Sequence, residues 1–433
     1  MKRSPLLPIF LIVLVDILGL TIILPLLPFY AEKLGATAQQ ATLLVSVYAV
    51  CQLVAGPLLG RMSDRTGRKP LLLVSQVGTF IGFLILANAW ALWVVFVSRI
   101  IDGLTAGNLS LAQAYIADVT APKDRARSFG VIGIAFGIGF LVGPGLSGFL
   151  SGFGYHWPIY AAAALSLTSI VCTATLLPAN PPLPEGVSRA TGATKGAEDA
   201  PAGPGGERLS ILAWGQYARY FRRPGLASLL LQFFAFTIAF ASFTSGFALF
   251  AERRLTWHGH PFGPKEVGYV FAYSGFLGII LQGGLIGRLV KRFGEAALVR
   301  AGFLAAAVGY ALLGAAHGVP VLLAAATISA FGNGVLRPAL TSLITQRVSR
   351  GEQGTVLGLN QSLLSIGQIA GPALAGALIG NGFLASWAFL AALVVLVGLL
   401  LSRKDAELGR TSPSPGGGTA PSAGSGDELL ADS

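Results

Sequence analysis

Residues 41–59 carry no charged side chain, and neither do residues 71–98. Between them, GRMSDRTGRKP at 60–70 gathers four bases (Arg61, Arg65, Arg68, Lys69), one acid (Asp64) and two glycines. A helix of about 19 residues rises roughly 28 Å, close to the thickness of a bilayer's hydrocarbon core. A connection this short between two such runs must lie at a membrane surface, and its density of Lys and Arg marks the cytoplasmic one. Composition agrees: 53% of the 433 residues are hydrophobic and 11% charged, against about a quarter charged in soluble domains. Lipid therefore has to solvate much of the surface. The net charge of +11 does not signal nucleic acid, because the bases fall in short connections rather than in a patch interleaved with aromatics.

The first apolar run follows Met1-Lys2-Arg3, continues to about Tyr30 and lacks a small-residue cleavage site, so it reads as an uncleaved helix. Further spans are expected at about 40–60, 71–89, 92–117, 128–150 and 157–177, then at about 226–250, 266–289, 298–316, 319–345, 354–379 and 383–402. The expected organisation is a six-helix bundle over 1–178, a cytoplasmic linker over 179–223, a second six-helix bundle over 224–402, and a disordered cytoplasmic tail over 403–433. The linker is rich in Pro, Gly and Ala and is expected to be mostly disordered, with an amphipathic helix just before span seven. Placing both termini inside leaves only Lys33, Arg253, Arg254 and Lys265 as outer bases, an asymmetry that favours cytoplasmic termini. Cys51 and Cys172 lie inside apolar runs, and the four histidines are too few and scattered for a metal site. Neither a metal nor a cofactor is expected, nor is an enzyme, since no nucleophile–base set or phosphate loop appears.

The halves repeat. GPLLGRMSDRTGRK from Gly56 returns as GGLIGRLVKRFGE from Gly283, so Gly60 matches Gly287 and Gly67 matches Gly294, a shift of 227. Gly143-Pro144 and Gly148 match Gly371-Pro372 and Gly376, a shift of 228. The pattern G-x-x-x-D-R-x-G-R-K at Gly60, Asp64, Arg65, Gly67, Arg68 and Lys69 resembles the loop between the second and third helices of the major facilitator superfamily. That resemblance implies an all-α membrane protein of twelve transmembrane helices in two pseudo-symmetric six-helix bundles. It also implies a gate in which Asp118, ending span four, meets Arg68, while Asp64 sits near the start of span eleven, where the helix dipole favours an anion.

Few ionisable groups lie within the spans, and each is a functional candidate because a charge in hydrocarbon costs several kcal/mol. Asp16 lies about 14 Å along the first helix, near the midplane, where a lone carboxylate could carry a proton. Its surroundings, Asp16-Ile-Leu-Gly19-Leu through Leu24-Pro25, resemble the first helix of the drug:proton antiporter branch, tetracycline exporters included. Arg99 and Asp102 are three apart on span four and could pair. Arg99-Ile-Ile-Asp102-Gly103 with Ala106-Gly107 resembles the family's fourth-helix motif, whose arginine is implicated in proton coupling. Gly139, Gly143, Pro144 and Gly148 resemble the fifth-helix motif of exporters, beside their plain use in close helix packing.

A substrate site is expected between the halves near the midplane, with candidates Tyr48, Gln52, Asn108, Gln113, Gln232, Phe236, Phe240, Asn333, Asn360 and Gln361. Phe236, Phe240, Phe243 and Phe247 form a helical stripe, a pattern that serves packing or lipid contact more often than ligand binding. Arg337, before Pro338 in span ten, could serve an anionic substrate or anchor the inner end. The expectation is a monomeric, proton-coupled exporter of small organic molecules or drugs in a bacterial-type plasma (inner) membrane. Its partners would be the substrate, protons and the bilayer. The alternative is an importer of a small metabolite on the same fold.

Overall fold

The computed structural model describes residues 6–119, 125–178, 214–223, 225–349 and 352–411; at 6–7, 117–119, 125–133, 214–217, 354 and 404–411 only the backbone is described. Twelve helices in these residues are long and apolar enough to cross a membrane. The first six spans are α1 (Leu6–Lys33), α2 (Ala38–Thr66), α3 (Arg68–Ala87), a fourth divided into α4 (Leu92–Leu104) and α5 (Asn108–Val119), α6 (Arg125–Ser151) and α7 (His156–Leu176). A short helix, α8 (Trp214–Phe221), occupies the position expected for an amphipathic helix ahead of span seven.

The second six begin with α9 (Leu226–Arg254), joined by the hairpin of β1 (Thr256–Trp257) and β2 (His260–Pro261) to α10 (Pro264–Ile280). Span eight then passes through a π-helical turn, Leu281–Leu285, into α11 (Ile286–Phe293). α12 (Glu295–Gly314), α13 (Val319–Gln346), α14 (Gln353–Gly380) and α15 (Leu384–Thr411) complete the set. α15 runs past the apolar segment that ends near Ser402, because Arg403, Lys404, Ala406, Glu407 and Leu408 are all strong helix formers.

The segment 60–70 is helical almost throughout rather than a loop. α2 continues through Asp64 and Arg65 to Thr66, α3 starts at Arg68, and Gly67 alone turns the chain, with φ 94° and ψ 155°. That region of backbone space is open essentially to glycine only. Gly294, the residue 227 positions on, holds φ 75° and ψ 159° between α11 and α12. The repeat in sequence is thus a repeat in backbone conformation.

Between the halves, α6 packs along α10 and α14 packs along α2. These are spans five with eight and eleven with two, so the internal repeat exchanges one seam for the other. Glycines on the two seam helices correspond in what they touch. A Cβ on Gly143 would overlap Thr21 of α1, and one on Gly371 would stand 2.6 Å from Ser242 N of α9. A Cβ on Gly148 would instead stand 2.9 Å from Lys265 O of α10 across the seam, as one on Gly376 would overlap Thr42 Oγ1 and stand 2.8 Å from Gln39 Cα of α2. Without side chains at these points the backbones meet directly, which is how helices bind one another in lipid.

Both seams are tight toward the end of the molecule remote from the start of α1. There Arg253 pairs with Glu32 at 2.5 Å, tying α9 to α1, and Ser46 Oγ donates to Ile369 O at 2.8 Å, tying α2 to α14. Arg254 closes the end of α9 onto His317 at 2.9 Å and Ala316 O at 3.3 Å. Toward the opposite end, a Cβ at Gly56, Gly60, Gly283, Gly284, Gly287 or Gly358 would meet nothing within 4 Å. Spans two and eight are also the least buried of the twelve. The halves therefore meet at the far end and part toward the end where α1 begins.

Candidate functional site

Span four, expected to run unbroken over 92–117, is interrupted between Leu104 and Asn108. Inside a bilayer the freed backbone groups need partners from the protein itself, and Ser75 of α3 supplies them. Its hydroxyl donates to Thr105 O and accepts the Gly107 N–H at 3.0 Å. The break brings Asn108, at the start of α5, against Asp16 of α1. Both line a small cleft with Ile12, Val13, Ile17 and Leu109. Asp16 Oδ1 and Asn108 Oδ1 are buried without a hydrogen-bond partner. A carboxyl at membrane depth is a group on which a proton can be held.

One turn before the break, Arg99 Nη1 lies 3.3 Å from Asp102 Oδ2, with both side chains 5% exposed. Thr79 of α3 acts electrostatically on Asp102, and the Arg99 guanidinium stands 5.9 Å from the Phe83 ring. Arg99 Nη2 is buried and has no hydrogen-bond partner. α2 and α3 come this close to α4 through glycine: a Cβ on Gly103 would lie 2.7 Å from Tyr48 O, and one on Gly82 3.0 Å from Asp102 Cβ. Tyr48 is thereby held within electrostatic reach of Asp16, Arg99 and Asp102, and its hydroxyl accepts from Gln52 Nε2 at 3.3 Å. Asp16, Tyr48, Gln52, Arg99, Asp102 and Asn108 thus form one polar cluster inside the first half. The contributions of Thr79 and Ser75 had no signal in the sequence, where each is one hydroxyl in an apolar run.

At the turn between α2 and α3, Arg68 Nη1 pairs with Asp64 Oδ1 at 2.7 Å and donates to Ser63 Oγ at 2.5 Å. Arg65 and Asp64 are exposed, and Lys69 Nζ donates to Ala174 O at 2.8 Å. The expected contact from Asp118 falls on a side chain outside the described residues.

The other candidates scatter. Gln113 and Gln361 are exposed, while Gln232 is buried and donates to Ser228 Oγ at 3.2 Å. Phe236 is buried and stacked on the half-buried Phe240 at 5.8 Å. Phe243 and Phe247 join Phe271 and Tyr310 in an aromatic cluster, so most of the stripe packs within the second half. Asn333 accepts from Tyr310 at 3.1 Å. Asn360 is buried with both amide atoms unpaired. Arg337 is exposed, with its guanidinium 5.8 Å from the Phe136 ring of α6, across the seam.

Twelve spans in two bundles related by an internal repeat, with a polar cluster at membrane depth and seams closed at one end, define a protein of the secondary-transporter class. The family model for the Major Facilitator Superfamily matches residues 9–294 and 262–426. The chain belongs to that superfamily, a family of transporters. It is 30% identical over 383 residues to the class B tetracycline resistance protein of Escherichia coli, covering 87% of this chain and 88% of the relative. It is 28% identical over 403 residues to Multidrug resistance protein 2 of Bacillus subtilis (strain 168), covering 90% and 92%. The crystal structure of the nucleoside transporter NupG superposes with a TM-score of 0.70 at 15% identity, over 95% of this chain and all of that one.

Proposed function

We propose that this chain is a proton-coupled exporter of small, amphipathic organic molecules, working by alternating access as a monomer. It would sit in a bacterial-type plasma (inner) membrane, with both termini and the 179–223 linker in the cytoplasm and bundles over 1–178 and 224–402. The observation that carries the reading is Asp16 beside Asn108 at the break in span four. A carboxyl there, with one oxygen unpaired, can take up and release a proton as the site is exposed first to one side and then to the other. Arg99 and Asp102 lie in the same cluster and would sense that change of charge. The class B tetracycline relative supports export as the direction.

Asp64, Arg65 and Arg68, with Gly60, Gly67 and Asp118, would form the cytoplasmic gate. The parted ends of spans two and eight fit a state open on that side. The test is transport in everted membrane vesicles with tetracycline and ethidium as probes, with and without an imposed pH gradient. Asp16→Asn mimics the protonated carboxyl, so downhill exchange survives and gradient-driven accumulation is lost. Accumulation against a concentration gradient by Asp16→Asn would remove Asp16 from the coupling role.

A further inference from the structure

Arg337 is the group in the central region that the coupling scheme does not use. It lies nine residues before the end of α13 at Gln346, about 13 Å from that end along the axis. That is too deep for a guanidinium to snorkel readily to the headgroups. Its guanidinium stands 5.8 Å from the Phe136 ring of α6 in the other half. Among the described residues the ion pairs are Arg68–Asp64, Arg99–Asp102, Arg223–Glu352 and Arg253–Glu32, so Arg337 has no carboxylate partner there.

The depth is that of the proposed coupling group. Gly139 packs on Ile17, the neighbour of Asp16, so Phe136 lies about one turn, 5.4 Å, from that level. Gly334 packs on Leu281, and Arg337, three residues on, shares that face. It therefore adjoins the π-helical turn Leu281–Leu285, where Gln282 is exposed and Gly283 and Gly284 have open space beside them. An uncompensated charge at this depth is costly, and it persists here on the wall where the halves part.

We infer that Arg337 and Phe136 form an anion-selective subsite, which takes the carboxylate or sulfonate of an aromatic amphipathic substrate against the guanidinium and its ring against Phe136. A planar guanidinium offers a carboxylate two parallel hydrogen bonds, and its unbonded face and the adjoining ring suit a flat aromatic body. Because the two side chains belong to different halves, the subsite exists only while they are juxtaposed. This assignment rests on the exporter reading and names the charge of its substrate.

The test uses two dyes on one xanthene framework, anionic fluorescein and cationic rhodamine 123, with equilibrium binding to the purified full chain measured by fluorescence anisotropy. Fluorescein should bind the wild type more tightly than rhodamine 123. Arg337→Gln should weaken fluorescein at least about tenfold, roughly 1.4 kcal/mol, without weakening rhodamine 123. Arg337→Lys keeps the charge but loses the fork, and should fall between. Equal losses for both dyes, or an unchanged fluorescein affinity in Arg337→Gln, overturn the subsite. Should Arg337→Gln not purify as a single species, competition on the wild type decides: benzenesulfonate should displace fluorescein and the neutral benzenesulfonamide should not, and equal displacement overturns it. Failure of the wild type to accumulate tetracycline, ethidium and fluorescein alike in vesicles would fell the exporter reading, while the binding measurements still decide the anion site.

Discussion

Gly143→Ala separates a packing role from a chemical one in the fifth-span motif. The new Cβ would overlap Thr21 Oγ1 and stand 2.8 Å from Thr21 Cβ and 3.2 Å from Ile22 N. Thr21 is fully buried and Ile22 N is backbone, so little can yield except the separation of α1 from α6. Overpacking of this kind costs about 1–3 kcal/mol. Moving the helices apart also takes Thr21 Oγ1 away from Gly139 O, now 2.9 Å. The single hydroxyl proton retains Ile17 O at 2.8 Å, so it is not orphaned, and the expected loss stays at about 1–3 kcal/mol.

Gly145 in the same motif is the control, because a Cβ there meets only Ala272 Cβ at 3.5 Å, an ordinary contact. The assay is thermal unfolding in detergent, followed by the fraction remaining monodisperse. Gly145→Ala should melt with the wild type and Gly143→Ala well below it. Thr21→Ala combined with Gly143→Ala should recover part of the loss, since it deletes the overlapping oxygen and the two sites are coupled. If Gly143→Ala melts with Gly145→Ala, or the double substitution is no better than the single, the packing argument fails.

Two further outcomes are expected. Glu352 accepts from Arg223 at 2.7 and 3.2 Å and from Ser349, and these hydrogen bonds, Arg223 first, hold its carboxyl down at about 2 from the usual 4.5. A depressed carboxyl stabilises the fold above pH 4.5 and loses that contribution as pH falls toward 2. With Arg223 40% and Glu352 23% exposed the pair contributes about 1 kcal/mol. The gap in melting between wild type and Arg223→Ala should therefore narrow on acidification from pH 4.5, and a widening gap would contradict the pairing. Asn360, whose buried amide has no partner, should give up a desolvation penalty of about 1–3 kcal/mol when replaced by leucine of similar volume. Asn360→Leu is expected to melt higher, and a lower melting point would show that the amide is satisfied.

The span pattern was legible because a hydrocarbon crossing demands long apolar runs, and the bases that end those runs cannot be hidden. The repeat was legible too, since Gly67 and Gly294 answer one steric requirement. The break in span four was not. Thr105-Ala106-Gly107 reads like any small-residue stretch of an apolar helix, and what stabilises the interruption is Ser75, thirty residues away. Likewise the helical state of 60–66 was masked by its charges, which suggested a loop, although Arg, Met and Asp are all compatible with a helix end. Asp16 stood out as a lone acid, but its companion Asn108 is set by tertiary packing. The meeting of Arg337 with Phe136 depends on how two bundles dock, which no local pattern encodes.

Spans five and eleven each carry two sets of glycines on different sides of one cylinder. Gly143 and Gly371 weld their helices to α1 and α9 of the same half, whereas Gly148 and Gly376 rest against α10 and α2 of the opposite half. The first contacts would persist through a rocking cycle and the second would open and close. Bare backbone is well suited to the moving side: no rotamers must be frozen on closing, and no side chains interlock that would have to be pulled apart on opening. In such a cycle each of these helices would act as a bearing, fixed along one edge and free to roll along the other. Ser46 Oγ, donating to Ile369 O, fastens the free edge of span eleven to α2, and the Glu32–Arg253 link between α1 and α9 closes the rim above.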